Sequence, residues 1–178
     1  MVQAINKLRN LYLKMRAWEL FSLIMIPVLA GFFVSEKMSS LILPVLNTLF
    51  FTAIIGWLYS IGSVFNRKLS QGLRKSEVLF TLNVMYSLVF AGVLFFNIAS
   101  LQSKLFNESS FLIIFSIYFI FASFHCFYFA SKALVMCEIG RDVNFENHTK
   151  EFFLLIVFVI GIWLLQPRIN KLMAISSE

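Results

Sequence analysis

Charged residues are scarce in this chain. Only 13% of its 178 residues are charged, whereas 60% are hydrophobic and 17% are aromatic. Soluble domains carry about 25% charged residues, so the composition excludes an ordinary soluble domain and indicates a membrane protein. The longest polar stretch, roughly 138–151, is too short to form a soluble domain of its own. We therefore expect a single membrane domain over residues 1–178.

Cysteine is also scarce, and the chain has only Cys126 and Cys137. Eleven residues along a helix would separate these thiols by ~16 Å, too far for a shared metal ion or for a disulfide. No C-x-x-C spacing or other metal-ligand pattern occurs. The sequence therefore predicts reduced thiols, with no metal and no cofactor.

Alternation of polar and apolar residues over segments of ~10, which membrane barrels require, is absent. Runs such as "FFLLIVFVIGIWLL" are continuously apolar. A bilayer core about 30 Å thick needs ~20 such residues as helix, and a helix satisfies its own backbone hydrogen bonds in lipid. The predicted fold is all-α, a polytopic helical membrane protein with about five transmembrane helices, at about 17–34, 41–65, 78–101, 111–131 and 145–166.

The fifth of these segments is the least regular. Its apolar part, from Phe152 to Leu165, has 14 residues and reaches only ~21 Å as a helix. Asn144 is a good N-cap residue and Glu146 suits the first turn, so a helix from about Phe145 to Gln166, just before Pro167, would be long enough to cross. The alternative is a re-entrant segment that returns to the side it entered.

Basic residues predict the orientation of the chain. In a five-span arrangement, eleven lie on the side of the N-terminus and four on the other side, so the positive-inside rule places the N-terminus in the cytoplasm. A re-entrant last segment would move Arg168 and Lys171 to the cytoplasmic side and make the asymmetry larger. The eleven are Lys7, Arg9, Lys14, Arg16, Arg67, Lys68, Arg74, Lys75, Lys132, Arg141 and Lys150, and the four are Lys37, Lys104, Arg168 and Lys171.

The net charge of +6 is explained by these basic helix ends, which face anionic lipid headgroups, and it does not indicate nucleic-acid binding. Residues 1–16 are basic and amphipathic, and we expect them to lie along the cytoplasmic leaflet. Leu13 and Val2 fall off the apolar arc of this helix. The arc consists of Ala4, Ile5, Leu8, Leu11, Tyr12 and Met15, opposite Gln3, Asn6, Lys7, Asn10 and Lys14.

Small residues recur along the fourth predicted helix at heptad spacing. In lipid, small side chains allow helices to approach closely, which is the usual way to gain contact there. This small-residue seam is most simply a packing surface, and the two cysteines are read as part of it. It consists of Ser116, Ser123, Cys126, Ala130, Ala133 and Cys137.

Four polar side chains within the predicted spans are candidates for function, because polar groups at membrane depth are costly and need partners. His125 lies near mid-membrane, and the favoured interpretation is a neutral imidazole bonded to a serine, asparagine or tyrosine. The alternative is a polar lumen for a transporter or channel. The four residues are His125, Asn47, Asn83 and Asn97.

The densest polar cluster, "CEIGRDVNFENHTKE", follows the fourth predicted helix. Carboxylates and a histidine can serve an enzyme at the membrane surface, but no nucleophile, phosphate loop or metal spacing accompanies them. A solvated helix-capping turn, with the fourth helix ending at Gly140, is the favoured interpretation. The candidate residues are Glu138, Arg141, Asp142 and His148.

The tail "GIWLLQPRINKL" resembles the end of uncharacterised bacterial multi-pass membrane proteins. The resemblance covers residues from about 131 onward and implies a bacterial inner membrane, without a known activity. Our functional hypothesis is a non-enzymatic subunit, accessory or effector protein that binds a membrane protein partner or a second copy of itself. The alternatives are a small transporter or channel with a polar lumen, and a membrane-surface enzyme.

Overall fold

The computed structural model describes the backbone of residues 2–100 and 110–175, and side chains within these ranges except at 2–6, 36–38, 96–100, 110–112 and 175. The described chain is entirely helical outside its loops, which confirms the all-α prediction. The helices are α1 (Val2–Lys14), α2 (Ala17–Gly31), α3 (Glu36–Lys68), α4 (Val78–Ser100), α5 (Ser110–Ile139), α6 (Phe145–Ile156) and α7 (Phe158–Ile175).

Three of these helices contain segments long and apolar enough to cross a membrane: Ser39–Lys68, Val78–Phe95 and Ile113–Ile139. Ala17–Gly31 is apolar but shorter, with 15 residues. These segments correspond to four of the five predicted spans.

The helices pack around α3, which contacts α1, α2, α4 and α5. The basic end of the bundle is the end that carries the loop between α3 and α4 (69–77) and the loop between α5 and α6 (140–144). Toward this end α3 is almost completely buried, and Trp57, Leu58, Ile61 and Phe65 form the centre of the core. Toward the far end α3 is more exposed, because fewer helices surround it there.

The predicted helix over 145–166 is replaced by an antiparallel hairpin of α6 and α7. A straight helix would separate residues 151 and 168 by ~25 Å, yet Arg168 Nη1 lies 2.9 Å from Glu151 Oε1. α6 packs against α5, whereas α7 packs against α6, α2 and α1. α7 continues through Pro167, where the sequence had predicted the helix to end.

The tip of this hairpin lies near the middle of α3, and its two outer ends lie at the basic end. At the tip, the Phe158 ring contacts the Phe50 ring with centroids 5.8 Å apart. At the other extreme, Lys68 Nζ lies 3.5 Å from the Leu172 carbonyl oxygen, to which it donates. The chain therefore returns to the end from which α6 started.

A single non-helical residue and a glycine form the turn. Val157 has φ −87° and ψ 59°, close to an inverse γ-turn, and interrupts the helix between α6 and α7. Gly161 then lies directly against α6, where a Cβ atom would overlap the Leu154 carbonyl oxygen. Only glycine allows the two helix backbones to approach this closely.

α1 packs against α3 and α7 through a face that only partly matches the predicted apolar arc, of which Tyr12 and Met15 contact the core. Leu13, which falls off the predicted apolar arc, is fully buried, and Arg9 is only 6% exposed. The guanidinium carbon of Arg9 lies 5.8 Å from the centroid of the Tyr59 ring. Leu8 and Leu11 of the predicted apolar arc are exposed instead. The difference arises because α1 has protein neighbours as well as lipid.

α5 buries small residues in the core, but the buried row follows straight-helix spacing rather than heptads. Ala122, Cys126, Ala130 and Ala133 are buried at intervals of four, four and three residues. Of the other residues in the small-residue seam, Ser116, Ser123 and Cys137 are only partly buried. A heptad pattern suits supercoiled helices, whereas a row at intervals of three and four follows one face of a straight helix.

Candidate functional site

A hydrogen-bonded triad joins α4 to α5 inside the membrane segments. The Tyr118 hydroxyl donates to Asn83 Oδ1 (2.8 Å), and Asn83 Nδ2 lies 3.0 Å from His125 Nδ1. Because the amide nitrogen can only donate, Nδ1 of His125 acts as the acceptor, which fits a neutral ring protonated at Nε2. Phe121 and Phe129 flank the imidazole, each with ring centroids 6.3 Å away. His125 thus has an asparagine partner, one of the types expected.

Asn47 lies on the side of α3 that faces the hairpin tip. Phe50, three residues later, contacts Phe158, and Phe51, four residues later, packs against Phe119 of α5. Residues three and four apart share a helix face. Asn47 therefore lies one turn beyond the tip, and its side chain is exposed, with no hydrogen-bond partner in the described chain.

The predicted lumen residues do not converge. The Phe80 ring contacts Gly62, so Asn83, one turn farther along the antiparallel α4, lies level with about Tyr59. Twelve residues of α3 separate that level from Asn47, a distance of ~18 Å. Asn83 and His125 meet each other, whereas Asn47 lies apart. Asn97 lies outside the described side chains.

Two hydroxyl side chains of α3, Thr48 and Ser60, bond within their own helix. The Thr48 hydroxyl donates to the Pro44 carbonyl, and the Ser60 hydroxyl donates to the Gly56 carbonyl, each at 2.7 Å. Such bonds to the preceding turn satisfy a hydroxyl in an apolar environment without a second helix. The carbonyl oxygens of their own helix therefore satisfy these two hydroxyls.

The predicted cluster at the basic end separates into different contacts. Asp142 forms ion pairs with Lys75 (3.0 Å) and Lys132 (3.2 Å), and these hydrogen bonds lower its pKa, that with Lys75 most. Glu138 pairs instead with Arg168 of α7, and Arg141 is exposed. Gly140, with φ 74°, follows the last residue of α5 and ends the helix between Glu138 and Asp142, as predicted.

His148 is fully buried on α6 and contacts α5. Its Nδ1 lies 3.0 Å from Ser131 Oγ, which itself donates to the Tyr128 carbonyl, so Nδ1 carries the proton. The rings of Tyr128 and Phe145 pack edge-on against the imidazole. Nε2 is then an unprotonated acceptor, and it is buried with no hydrogen-bond partner in the described chain.

Arg168 connects three helices at the basic end. Its Nη2 lies 2.6 Å from Glu138 of α5, and its Nη1 lies 2.9 Å from Glu151 of α6. The hydrogen bond to Glu138 and then that to Glu151 raise the pKa of Arg168 against the effect of burial. The five-span prediction placed Arg168 on the far side, because nothing local in the sequence pairs it with carboxylates 30 and 17 residues earlier.

Gln166 holds α1 in place from α7. Its Oε1 accepts from the Trp57 indole nitrogen (3.0 Å), and its Nε2 donates to the carbonyls of Tyr12 (3.0 Å) and Met15 (2.9 Å). Asn170, one turn later, also donates to the Met15 carbonyl (3.1 Å). These carbonyls lie at the end of α1, where helical partners are lacking. Gln166 and Asn170 are the first and last residues of the "QPRIN" segment. Their hydrogen-bond partners could not be predicted from the sequence and are known only from the fold.

The all-helical fold and the three long apolar helices define a helical membrane protein. No protein-family model, no curated protein and no solved structure matches this chain. Within the described residues, no three histidine, cysteine or acidic side chains gather in one place suited to a metal ion.

Proposed function

We propose that this chain is an integral membrane protein that acts non-enzymatically, as a subunit or accessory protein, by binding a membrane-embedded partner. Asn47 is the observation that carries the proposal. Its amide is exposed on a membrane segment and lacks a partner in the described chain. Such a group is costly in lipid. A helix of another protein, or of a second copy, can supply the missing hydrogen bond.

The surroundings of Asn47 suit a helix as the occupant. Asn47 lies eight residues, or ~12 Å, from Ser39, the first residue of the candidate span, and so lies well inside the hydrocarbon layer. On α5, Ile117 and Ile120 share a face with Phe124, which contacts Phe152 of α6. Beyond the hairpin tip both isoleucines are exposed. Exposed apolar side chains of α5 thus lie in the same half of the bundle as the Asn47 amide.

Two other functions have less support. A transporter lumen would require Asn47, Asn83 and His125 to line one passage, but Asn47 is ~18 Å from Asn83 along α3, and Asn83 and His125 bond to each other. A membrane-surface enzyme would require Glu138, Asp142 and His148 to act together, but each is engaged with a different partner.

We further propose that the chain crosses the membrane four times, through α2 to α5, and that the hairpin of α6 and α7 re-enters from the cytoplasm. With this arrangement every lysine and arginine except Lys37 and Lys104 belongs to the cytoplasmic side, which is the asymmetry that the positive-inside rule favours. The resemblance of the tail to bacterial proteins supports the bacterial inner membrane as the location.

The test replaces Asn47 with leucine, which has a similar volume and no hydrogen-bonding group. The control is Thr52→Val, which also removes an exposed polar group from α3 but on another side of the helix. After cross-linking in native membranes and purification in mild detergent, we expect the wild type and the control to retain a stoichiometric partner. Asn47→Leu should lose it and keep its thermal stability. Purification of the wild type as a lone chain would contradict the proposal, and a solute-dependent stability would then favour the transporter.

A further inference from the structure

α1 presents a second surface, on the side away from the protein core. Its inner face is fixed by Arg9 and Leu13, which are buried, and its end is held by Gln166. Lys7 and Lys14 are both exposed on the opposite side. They are seven residues apart, which places them on the same side of the helix at a separation of ~10 Å.

The outer surface of α1 combines these lysines with exposed leucines. Leu8 is 56% exposed and Leu11 is 51% exposed. Together these residues form one open face of the helix. The outer surface of α1 consists of Lys7, Leu8, Asn10, Leu11 and Lys14.

We infer that the outer surface of α1 binds anionic phospholipids of the adjoining leaflet. Two leucines in water would expose apolar area, and two ammonium groups in hydrocarbon would lose their hydration, so the headgroup boundary is the environment that suits both residue types. α1 contains no acidic residue that could neutralise its lysines. Phosphate groups of the lipid therefore provide the complementary charge.

The position of α1 in the fold places this surface at a leaflet boundary. α2 begins at Ala17, three residues after α1 ends, and exposes Leu23, Ile26 and Leu29 along its length. Trp18, the second residue of α2, is 55% exposed, and tryptophan is enriched at membrane interfaces. This inference does not require the partner proposed for Asn47.

The test uses native mass spectrometry of the full-length protein in mild detergent. It measures how much phosphatidylglycerol and how much phosphatidylcholine, with the same acyl chains, the protein retains. The variant is Lys7→Gln/Lys14→Gln. The control, Arg141→Gln/Lys150→Gln, removes the same charge from two exposed residues at the basic end. A lysine near an anionic surface contributes about 5-fold in affinity, so we expect the variant to bind phosphatidylglycerol ~25-fold more weakly. The control should lose much less phosphatidylglycerol binding than the variant, and phosphatidylcholine binding should be unchanged in both.

Three further outcomes are decisive. Lys7→Arg/Lys14→Arg should retain phosphatidylglycerol binding, which would show that charge and not a folding defect explains the loss. Equal weakening in the variant and the control would mean that net charge alone attracts the lipid, and it would overturn the inference. Displacement of the lipid by inorganic phosphate at millimolar concentration would indicate a free-phosphate site and would overturn it as well.

Discussion

At the residue scale, His148 combines complete burial with an unsatisfied ring nitrogen. Burial lowers its pKa below the usual ~6.5, and the nearby charge of Lys132 lowers it further, while Glu151 acts in the opposite direction. The folded protein therefore holds the ring neutral, with Ser131 as its partner. The unfolded chain binds the proton more tightly. Stability from neutral His148 is thus fully present above pH ~6.5 and is lost as the pH falls toward the folded-state pKa.

This sign leads to a prediction for His148→Phe. The ring can occupy the same aromatic surroundings, and Ser131 keeps its bond to the Tyr128 carbonyl. The melting temperature of the variant in detergent should fall less than that of the wild type between pH 7.5 and pH 5.5. Asn147→Gln, at an exposed neighbouring position of α6, should show the wild-type change. The same acid sensitivity in His148→Phe and in the wild type would mean that other groups control it.

The type of hydrogen-bond partner could be predicted from the sequence for some polar side chains and not for others. His125 was expected to bond a serine, asparagine or tyrosine, because a polar group at membrane depth needs a partner, and it bonds Asn83. Gln166 gave no such indication. Its partners belong to α1 and α3, more than 100 residues earlier in the chain. Only the tertiary fold brings them together.

At the element scale, the hairpin of α6 and α7 depends on the close approach at Gly161. We predict that Gly161→Ala lowers stability strongly, by ~1–3 kcal/mol or more, because the added methyl overlaps the Leu154 carbonyl and must push the helices apart. Gly92→Ala is the control, since a Cβ there meets nothing within 4 Å. It should be neutral or slightly stabilising, because alanine favours helix. Thermal unfolding in detergent compares the two, and equal effects would count against a tight hairpin.

The sequence could not distinguish this hairpin from a crossing helix. A hairpin and a crossing helix both need a long apolar segment, and "FFLLIVFVIGIWLL" is compatible with both structures. The start was predictable, since Asn144 is the N-cap and Glu146 lies in the first turn. The turn was not, because Val157 is an ordinary membrane residue. The contacts that hold the hairpin closed, such as the two ion pairs of Arg168, join residues far apart in the sequence.

At the scale of the whole molecule, composition predicted the class and the all-α fold correctly, whereas the fifth predicted helix was wrong and the order of packing was left open. Apolar length was enough to locate the segments that became α2 to α5. It could not reveal that α3 is central and that α1 lies against it. The predicted apolar arc of α1 assumed lipid as its only apolar neighbour, and the burial of Leu13 and Arg9 shows that the protein supplies another.

The last prediction concerns the side of the membrane on which each end of the bundle lies. In a chain without native cysteines, single cysteines at Ser35, Ser70 and Lys171 report on the far end, the basic end and the end of α7. All three positions are exposed. With an impermeant thiol reagent on intact cells, we expect labelling at Ser35→Cys only. After permeabilisation all three should react, which provides the control for accessibility.

The three sites separate the possible arrangements because the hairpin joins the end of α7 to the basic end. Lys68 of α3 bonds the Leu172 carbonyl, so residue 171 must lie on the same side of the membrane as residue 70. A fifth crossing would instead label Lys171→Cys together with Ser35→Cys in intact cells. Labelling of Ser70→Cys and Lys171→Cys without Ser35→Cys would keep the hairpin and reverse the orientation. In that case the basic residues would face outward, against the positive-inside rule.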